Sequence, residues 1–401
     1  MKNSMEVKPN IFWVGSLDFD LKVFDIVMRT DFGTTYNSYI VKGKDKTVLF
    51  EVTKDGFFDE FLERVNSVCN VTDIDYVVIS HTEPDHTGAL SRLLEVNPDI
   101  KVIASDVGIK FLKNIVNKDF NAMPVKDGDT LDIGSMTLKF MLVPFLHWPD
   151  TMFTYIPEEQ AIFTCDCFGC HYASDKVFND AIGKDENFVQ AYKYYFDNIL
   201  APFKSHVLSM LNKISDLDIV TILTGHGPVI RVDSQDYIDM YKNWATVKKP
   251  ERPLVVVAYL SAYGYTRKIA DKIIDGLKSS GKIDVNAYDL LDTEPEAIIS
   301  ELSTASGLLL GSPTLVGDTL PPMWDILKAL NPNVHKGLLT GAFGSYGWSG
   351  EAVLNIEGRF KQLRLKTPVP GLRICFKPDE SKLNEAYDFG VSFGKAVLGE
   401  E

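Results

Sequence analysis

Apolar positions along this chain fall into two rhythms, and the change comes near residue 250. Before it, short β-branched runs such as Thr47-Val48-Leu49-Phe50-Glu51-Val52 alternate with helical stretches such as Phe57 to Val68. Leu131 to Ile133 and Met136 to Val143, split by Gly134-Ser135, read as antiparallel strands around a turn. This mixture predicts an α+β or sandwich arrangement rather than a strictly parallel fold. Beyond it, Leu254 to Leu260, Val285 to Asp289, Gly307 to Gly311, Gly337 to Phe343 and Leu372 to Phe376 are short apolar strands. Amphipathic helices over 266–279, 294–302, 322–330, 350–363 and 380–398 separate or follow them. Regular alternation of that kind predicts an α/β doubly wound sheet of five parallel strands. Lys248-Lys249-Pro250-Glu251-Arg252-Pro253 lies between the two rhythms, and its prolines mark a semi-rigid linker. The expected domains are therefore 1–249 and 254–401.

Composition narrows the classes. A chain of 401 residues exceeds the usual single core, in line with two domains. The formal net charge of −14 disfavours nucleic acid, whose phosphates need a basic surface. The start, Met1-Lys2-Asn3-Ser4-Met5-Glu6, has no apolar signal region, and no later run reaches membrane-spanning length. The expectation is a cytoplasmic protein with no membrane partner. Five cysteines do not describe a disulfide framework. Three cluster in Cys165-Asp166-Cys167-Phe168-Gly169-Cys170, either as soft-metal ligands or, the favoured reading, as small buried thiols at a strand end.

The densest chemistry is His81-Thr82-Glu83-Pro84-Asp85-His86, directly after the apolar run Tyr76 to Ile79 and Ser80. A buried strand feeding a loop with two imidazoles and two carboxylates is costly unless something binds them, and metals are the usual occupant. Three more candidates sit after later strands: His147 after Phe140 to Leu146, Asp166 after Ala161 to Cys165, and His226 after Ile219 to Leu223. The glycines of Gly225-His226-Gly227 suit close approach of backbone to an ion.

In the second half, Ser261-Ala262-Tyr263-Gly264-Tyr265-Thr266 follows the first strand and opens a helix. Hydroxyls and backbone N–H groups at a helix N-terminus make a site for one monophosphate. Ser312-Pro313-Thr314-Leu315-Val316 and Ser345-Tyr346-Gly347-Trp348-Ser349-Gly350 follow two later strands and would meet it beyond the strand ends. The first loop resembles the flavodoxin phosphate loop. Tyr346 and Trp348 are placed to flank an isoalloxazine ring, so FMN is the expected ligand.

The order His-x-Glu-x-Asp-His, His, Asp, Gly-His-Gly resembles the metallo-β-lactamase superfamily, an αβ/βα sandwich with a two-metal site at one edge. Its hydrolases carry a second His where this chain has Glu83, and a carboxylate there suits iron better than zinc. With a flavin domain behind it, the chain is similar to the flavodiiron proteins over essentially its whole length. That resemblance implies one iron on His81, Glu83 and His147 and a second on Asp85, His86 and His226. Asp166 and an oxo or hydroxo group would bridge them, with His86 coordinated in some members only. It places His171 and Tyr195 near the open face as proton donors or hydrogen-bonding groups. By strand alternation Cys165 and Cys167 point away from Asp166.

The resemblance further implies reduction of O2 to water, of NO to N2O, or both. One FMN and a diferrous pair store four electrons, which matches O2 to two waters; NO coupling needs two. It implies a head-to-tail homodimer or dimer of dimers. With no rubredoxin-like Cys-x-x-Cys pair after the last helix, the expected donor is external: rubredoxin, or a reduced deazaflavin or a reductase. The competing readings are a two-zinc lactamase-like hydrolase with an accessory flavodoxin domain, and a pure electron carrier with a degenerate first domain.

Overall fold

Along the strand Thr47–Phe50, Val48 and Phe50 enter one apolar cluster while Leu49 enters another. Tyr39 and Val41 against Ile40, and Val78 against Val77, divide the same way. Opposite faces of one sheet therefore cover two separate cores. A computed structural model describes every residue except Met1, Lys2, Ile26, Val27, Lys184, Lys249 and Glu401, so the expected segment ends at 1, 249 and 401 lie outside the described residues. The chain divides into two compact units, Met1–Thr246 and Val247–Glu401.

In the first unit a seven-stranded sheet runs Met5–Lys8, Ile11–Trp13, Tyr39–Lys42, Thr47–Phe50, Tyr76–Val78, Lys101–Ser105, Ala122–Val125. It is antiparallel as far as Thr47–Phe50 and parallel from there on. A five-stranded sheet runs Thr130–Asp132, Thr137–Leu142, Met152–Ile156, Ala161–Cys165, Thr221–Thr224, and only its last pair is parallel. The two inner faces share one core, where the Phe50 and Phe163 rings stack with centroids 3.7 Å apart. Phe58–Val68, Leu90–Val96 and Asp106–Val116 supply Phe61, Leu93 and Leu112 to the outer face of the larger sheet. Glu186–Tyr195, Lys204–Lys213 and Ser234–Ala245 supply Tyr192, Met210 and Tyr241 to the outer face of the smaller one. The result is the expected αβ/βα sandwich.

Two local expectations need correction. The stretch 81–86 is not all loop: Pro84–Thr87 forms one helical turn, with Pro84 at its start where a missing N–H costs nothing. The strand before His147 stops at Leu142, so His147 sits in the connection to Met152–Ile156.

The second unit is one parallel sheet in the order Asp284–Asp289, Leu254–Tyr259, Gly307–Gly311, Leu339–Tyr346, Leu372–Cys375. In chain order this is 2-1-3-4-5, the flavodoxin-like arrangement. Val255 and Val257 face Tyr265–Ser279 and Glu380–Leu398, while Val256 and Ala258 face the other three helices. The fourth strand starts later and ends later than 337–343. Gly337 turns at φ 98°, and pairing with Leu372–Cys375 carries the ladder on through Ser345 and Tyr346. Among the described residues no helix is long and apolar enough to cross a membrane.

Phe140 is fully buried between the two sheets. Phe140→Ala should cost about 3–5 kcal/mol of stability in the first unit, read as a lower denaturant midpoint at unchanged slope. A loss under about 1 kcal/mol would mean that the intersheet core refills the cavity.

Candidate functional site

All seven expected metal-site residues come together at one edge of the sandwich. His81 and Glu83 follow the strand Tyr76–Val78, Asp85 and His86 lie in the turn Pro84–Thr87, and Asp166 and His226 follow the parallel pair Ala161–Cys165 and Thr221–Thr224. Each of the four histidines presents Nε2 to a carboxylate. Glu83 Oε2 lies 3.1 Å from His81 and 3.0 Å from His147. Asp85 Oδ2 lies 3.0 Å from His226, and Oδ1 lies 3.6 Å from His86. Asp166 stands between the two groups. Its Oδ2 is 3.4 Å from His81 and 3.1 Å from His147, while Oδ1 is 3.0 Å from His86 and 3.4 Å from His226. Ligand-type atoms thus gather as His81, Glu83, His147, Asp166 on one side and Asp85, His86, His226 on the other.

Close backbone permits this convergence. A Cβ on Gly225 would meet His86 Cε1 at 2.8 Å, and Gly227, at φ 73°, would meet the Cys170 thiol at 2.7 Å. His226 donates Nδ1–H to the Thr35 carbonyl at 2.5 Å, which leaves Nε2 as the nitrogen facing the carboxylates.

The side chains are buried, so their charges matter strongly. Burial alone would raise Glu83, Asp85 and Asp166, yet all three are held below the usual carboxylate range by the histidines around them. Burial alone would lower the histidines, but contact with carboxylates raises His81 and His86 and takes His147 up to about 10. Without a metal, protons on the imidazoles therefore balance the carboxylates.

His171 and Tyr195 border the cluster. Both are buried, which excludes a solvent-exposed histidine. The His171 ring lies 5.1 Å from His226, 4.9 Å from Tyr195 and 4.4 Å from Phe24, with Nδ1 2.8 Å from Thr34 Oγ1. Burial, and then His226, take His171 down to about 3. It is neutral at neutral pH and can share a hydrogen bond, but it is not an imidazolium acid.

The three cysteines near Asp166 are buried and form no common site. Cys167 and Cys170 pack in the aromatic core under Tyr192 and Tyr241. Cys165 ends its strand in the left-handed region at φ 49° and lies on the Phe163 side, off the Asp166 group as alternation expects. Its thiol lies beside Glu51 and His86, behind the cluster. Residues that sequence reasoning passed over also border the site: Thr34, Thr35, Glu51 and Asp150. Only Glu51 left a signal, an acid ending an apolar strand as Asp166 does.

In the second unit the three expected loops gather beyond the strand ends. Thr266 Oγ1 and Ser345 Oγ are 2.9 Å apart, the Thr314 N–H donates to the Ser345 carbonyl at 3.1 Å, and the Ala352 N–H donates to Thr314 Oγ1 at 3.2 Å. Gly264 and Gly350, at φ 77° and 82°, each hand the chain into a helix. Ser261 Oγ accepts from the Arg267 N–H at 3.1 Å, so Ser261 caps the helix that Tyr265 begins. Ser312 and Pro313 are buried under the loops, and Tyr346 and Gly347 are half-buried. Tyr263, Leu315, Trp348 and Ser349 are exposed, with Trp348 at 94%. Exposed aromatics beside a helix N-terminus lined with hydroxyls are chemistry that fits a flavin mononucleotide.

Residues 34–227 match the ODP family beta lactamase domain, and residues 257–390 match flavodoxin. The chain is 39% identical to flavo-diiron protein FprA2 of Clostridium acetobutylicum, over 98% of this chain and 100% of that one. It is 34% identical to the nitric oxide reductase of Moorella thermoacetica, over 97% of this chain and 98% of that one. Rubredoxin oxygen:oxidoreductase of Desulfovibrio gigas has a similar solved structure, with TM-score 0.66 and 27% identity, covering 99% of each chain.

Ligation requires neutral imidazole, whereas the carboxylates around them raise His81 and His86 above the ordinary histidine value and take His147 up to about 10. Loading metal-free protein at pH 7 should release protons from these histidines, and affinity should rise with pH. A weakly buffered titration that records no acid release would show these histidines already neutral.

Proposed function

The chain belongs to the flavodiiron proteins, and from that membership we propose that it reduces O2 to water, NO to N2O, or both. It is an oxidoreductase whose cofactors are FMN and a non-haem diiron centre. We assign one iron to His81, Glu83 and His147, the other to Asp85, His86 and His226, and the bridge to Asp166. The division of the Asp166 oxygens between two histidine pairs carries this assignment. Three carboxylates among seven donors favour iron over the two zincs of a hydrolase. When bound, the irons activate the diatomic and FMN relays electrons to them.

The chain's own contribution is positioning, exclusion of water and hydrogen bonding. Burial of the donors keeps bulk water from competing for the open face. His171 stays neutral, and burial holds the Tyr195 phenol protonated, so both are hydrogen-bonding groups rather than charged ones. In the second unit we assign the FMN phosphate to Ser261, Tyr263, Gly264, Tyr265 and Thr266. The isoalloxazine falls to the loops from Ser312 and Ser345, with Tyr346 and Trp348 against the ring. Rubredoxin is the proposed donor, supported by the similarity to a rubredoxin oxygen:oxidoreductase, with a reduced deazaflavin or a reductase as substitutes. The proposed assembly is a head-to-tail homodimer or a dimer of dimers.

Anaerobic reduction of iron-loaded protein followed by limiting O2 should show four electrons lost per O2 and no peroxide, with a parallel NO titration setting the preference. Two electrons with stoichiometric peroxide would reduce the flavin to simple autoxidation. Asp166→Ala should lose both irons while retaining FMN, as measured by metal analysis and flavin absorbance. Retention of two irons with full activity would refute the bridge. Trp348→Ala should weaken FMN or shift its potential, and an unchanged flavin would remove Trp348 from the site.

A further inference from the structure

Two buried carboxylates outside the seven-residue cluster stand behind its histidines in the same manner. Asp150 accepts the Thr82 N–H through Oδ2 at 2.8 Å and turns Oδ1 towards His81 Nδ1 at 3.7 Å. Glu51 accepts the Ser80 N–H through Oε1 at 2.9 Å. Its other oxygen, Oε2, and His86 Nδ1 are both buried without a hydrogen-bond partner, just as Asp150 Oδ1 and His81 Nδ1 are. Glu51, His86 and Cys165 bring a carboxylate oxygen, a ring nitrogen and the thiol within 4.8 Å of one another. Because His86 Nε2 is turned to Asp166 Oδ1 at 3.0 Å, Nδ1 is the nitrogen left for that company.

The space between Glu51, Cys165 and the rings of Tyr39, Phe50 and Phe163 is too small to hold a water molecule. Gly225 crowds the His86 ring from Cε1, between its two nitrogens. Glu51 itself sits at φ 56°, a region that residues other than glycine rarely adopt, at the point where its strand ends. Strain of this kind persists where the surroundings over-determine it and the site uses it.

We propose that Glu51 is a positioning residue for the metal centre. Its free carboxylate oxygen accepts the Nδ1–H of His86, which fixes the tautomer and keeps Nε2 turned to Asp85 and Asp166 as a ligand rather than a bystander. This rests on the diiron reading above. Asp150 does the same for His81, so the two carboxylates form a paired outer support reached through neighbouring backbone donors, Ser80 and Thr82. The Cys165 thiol is the competing partner for His86 Nδ1, and it is the weaker hydrogen-bond acceptor.

The test is anaerobic Fe(II) titration of the full-length FMN-loaded protein, comparing wild type with Glu51→Gln, His86→Ala, the double variant and Cys165→Ala. FMN content and unfolding midpoint control for the fold. Glutamine can accept only one of the two N–H groups, so Glu51→Gln should weaken one of the two iron sites about 10–100-fold and alter the mixed-valent EPR signal. Since Glu51 acts through His86, the double variant should be no weaker than His86→Ala alone. Cys165→Ala should bind iron as wild type does. Glu51→Asp keeps the charge but falls short of His86; it should reproduce the loss and carries the test where the glutamine variant does not fold. The proposal is overturned if Glu51→Gln or Glu51→Asp binds both irons as wild type does. Additive losses in the double variant, or a loss in Cys165→Ala alone, overturn it equally. Wild type that takes two zincs but not two irons sinks the diiron reading, while the Glu51 effect is still read from the same comparison with zinc.

Discussion

Asp166 reaches two histidine pairs from one buried position, and most of the first unit serves to make that arrangement affordable. Three carboxylates and four imidazoles meet where almost no solvent enters. Desolvation of an ion costs several kcal/mol even after relaxation, so a single unpaired member would strain the fold. Here every carboxylate faces at least two imidazoles, and the shared Asp166 faces four. Protons can close the balance, and cations can replace those protons without moving the side chains far. Folding stability and metal affinity therefore draw on the same contacts, and the outer carboxylates hold the rings in the orientation both require.

The fold meets this demand through parallel strands. In the smaller sheet Cys165 pairs with Thr224, so Asp166 and His226 leave two adjacent strands side by side. In the larger sheet Tyr76–Val78 pairs in parallel on both sides and delivers His81 from a fixed base. Beneath both, the stacked Phe50 and Phe163 rings lock one sheet to the other. A shift between sheets would pull His81 and Asp166 apart, so an apolar contact sets the geometry of a polar centre. The flavin unit follows the same rule in simpler form: parallel strands end together and their loops converge.

Much of this was legible in the sequence because the chemistry is local there. Two imidazoles and two carboxylates within six residues announce themselves, as do an acid or a histidine straight after an apolar strand. The domain rhythm was equally clear, since period-two and period-3.6 patterns persist over many residues. What escaped was long-range. Thr34 reaches His171 across 137 positions, and Asp150 reaches Thr82 across 68, with no spacing to betray either. His147 was found for an imperfect reason, since its strand stops at Leu142 and the intervening turn, not the strand, delivers it.

The wall of the site bears on the kind of molecule it admits. Among the described residues of the seven, only His147 shows appreciable exposure, at 13% of its side chain, and the others lie at 7% or below. An ester or lactam would need a cleft that flanks the metals on several sides. A diatomic needs little more than its own length. The neighbouring His171, Tyr195 and Phe24 form an aromatic border that stays uncharged at neutral pH, so it offers nothing to attract an anion and little to repel a neutral gas. O2 and NO share that neutrality and size, which is why the donor set alone does not separate them. On the proposed reading, discrimination between them would fall to the uncharged His171 and Tyr195 at this border and to the rate at which FMN supplies electrons.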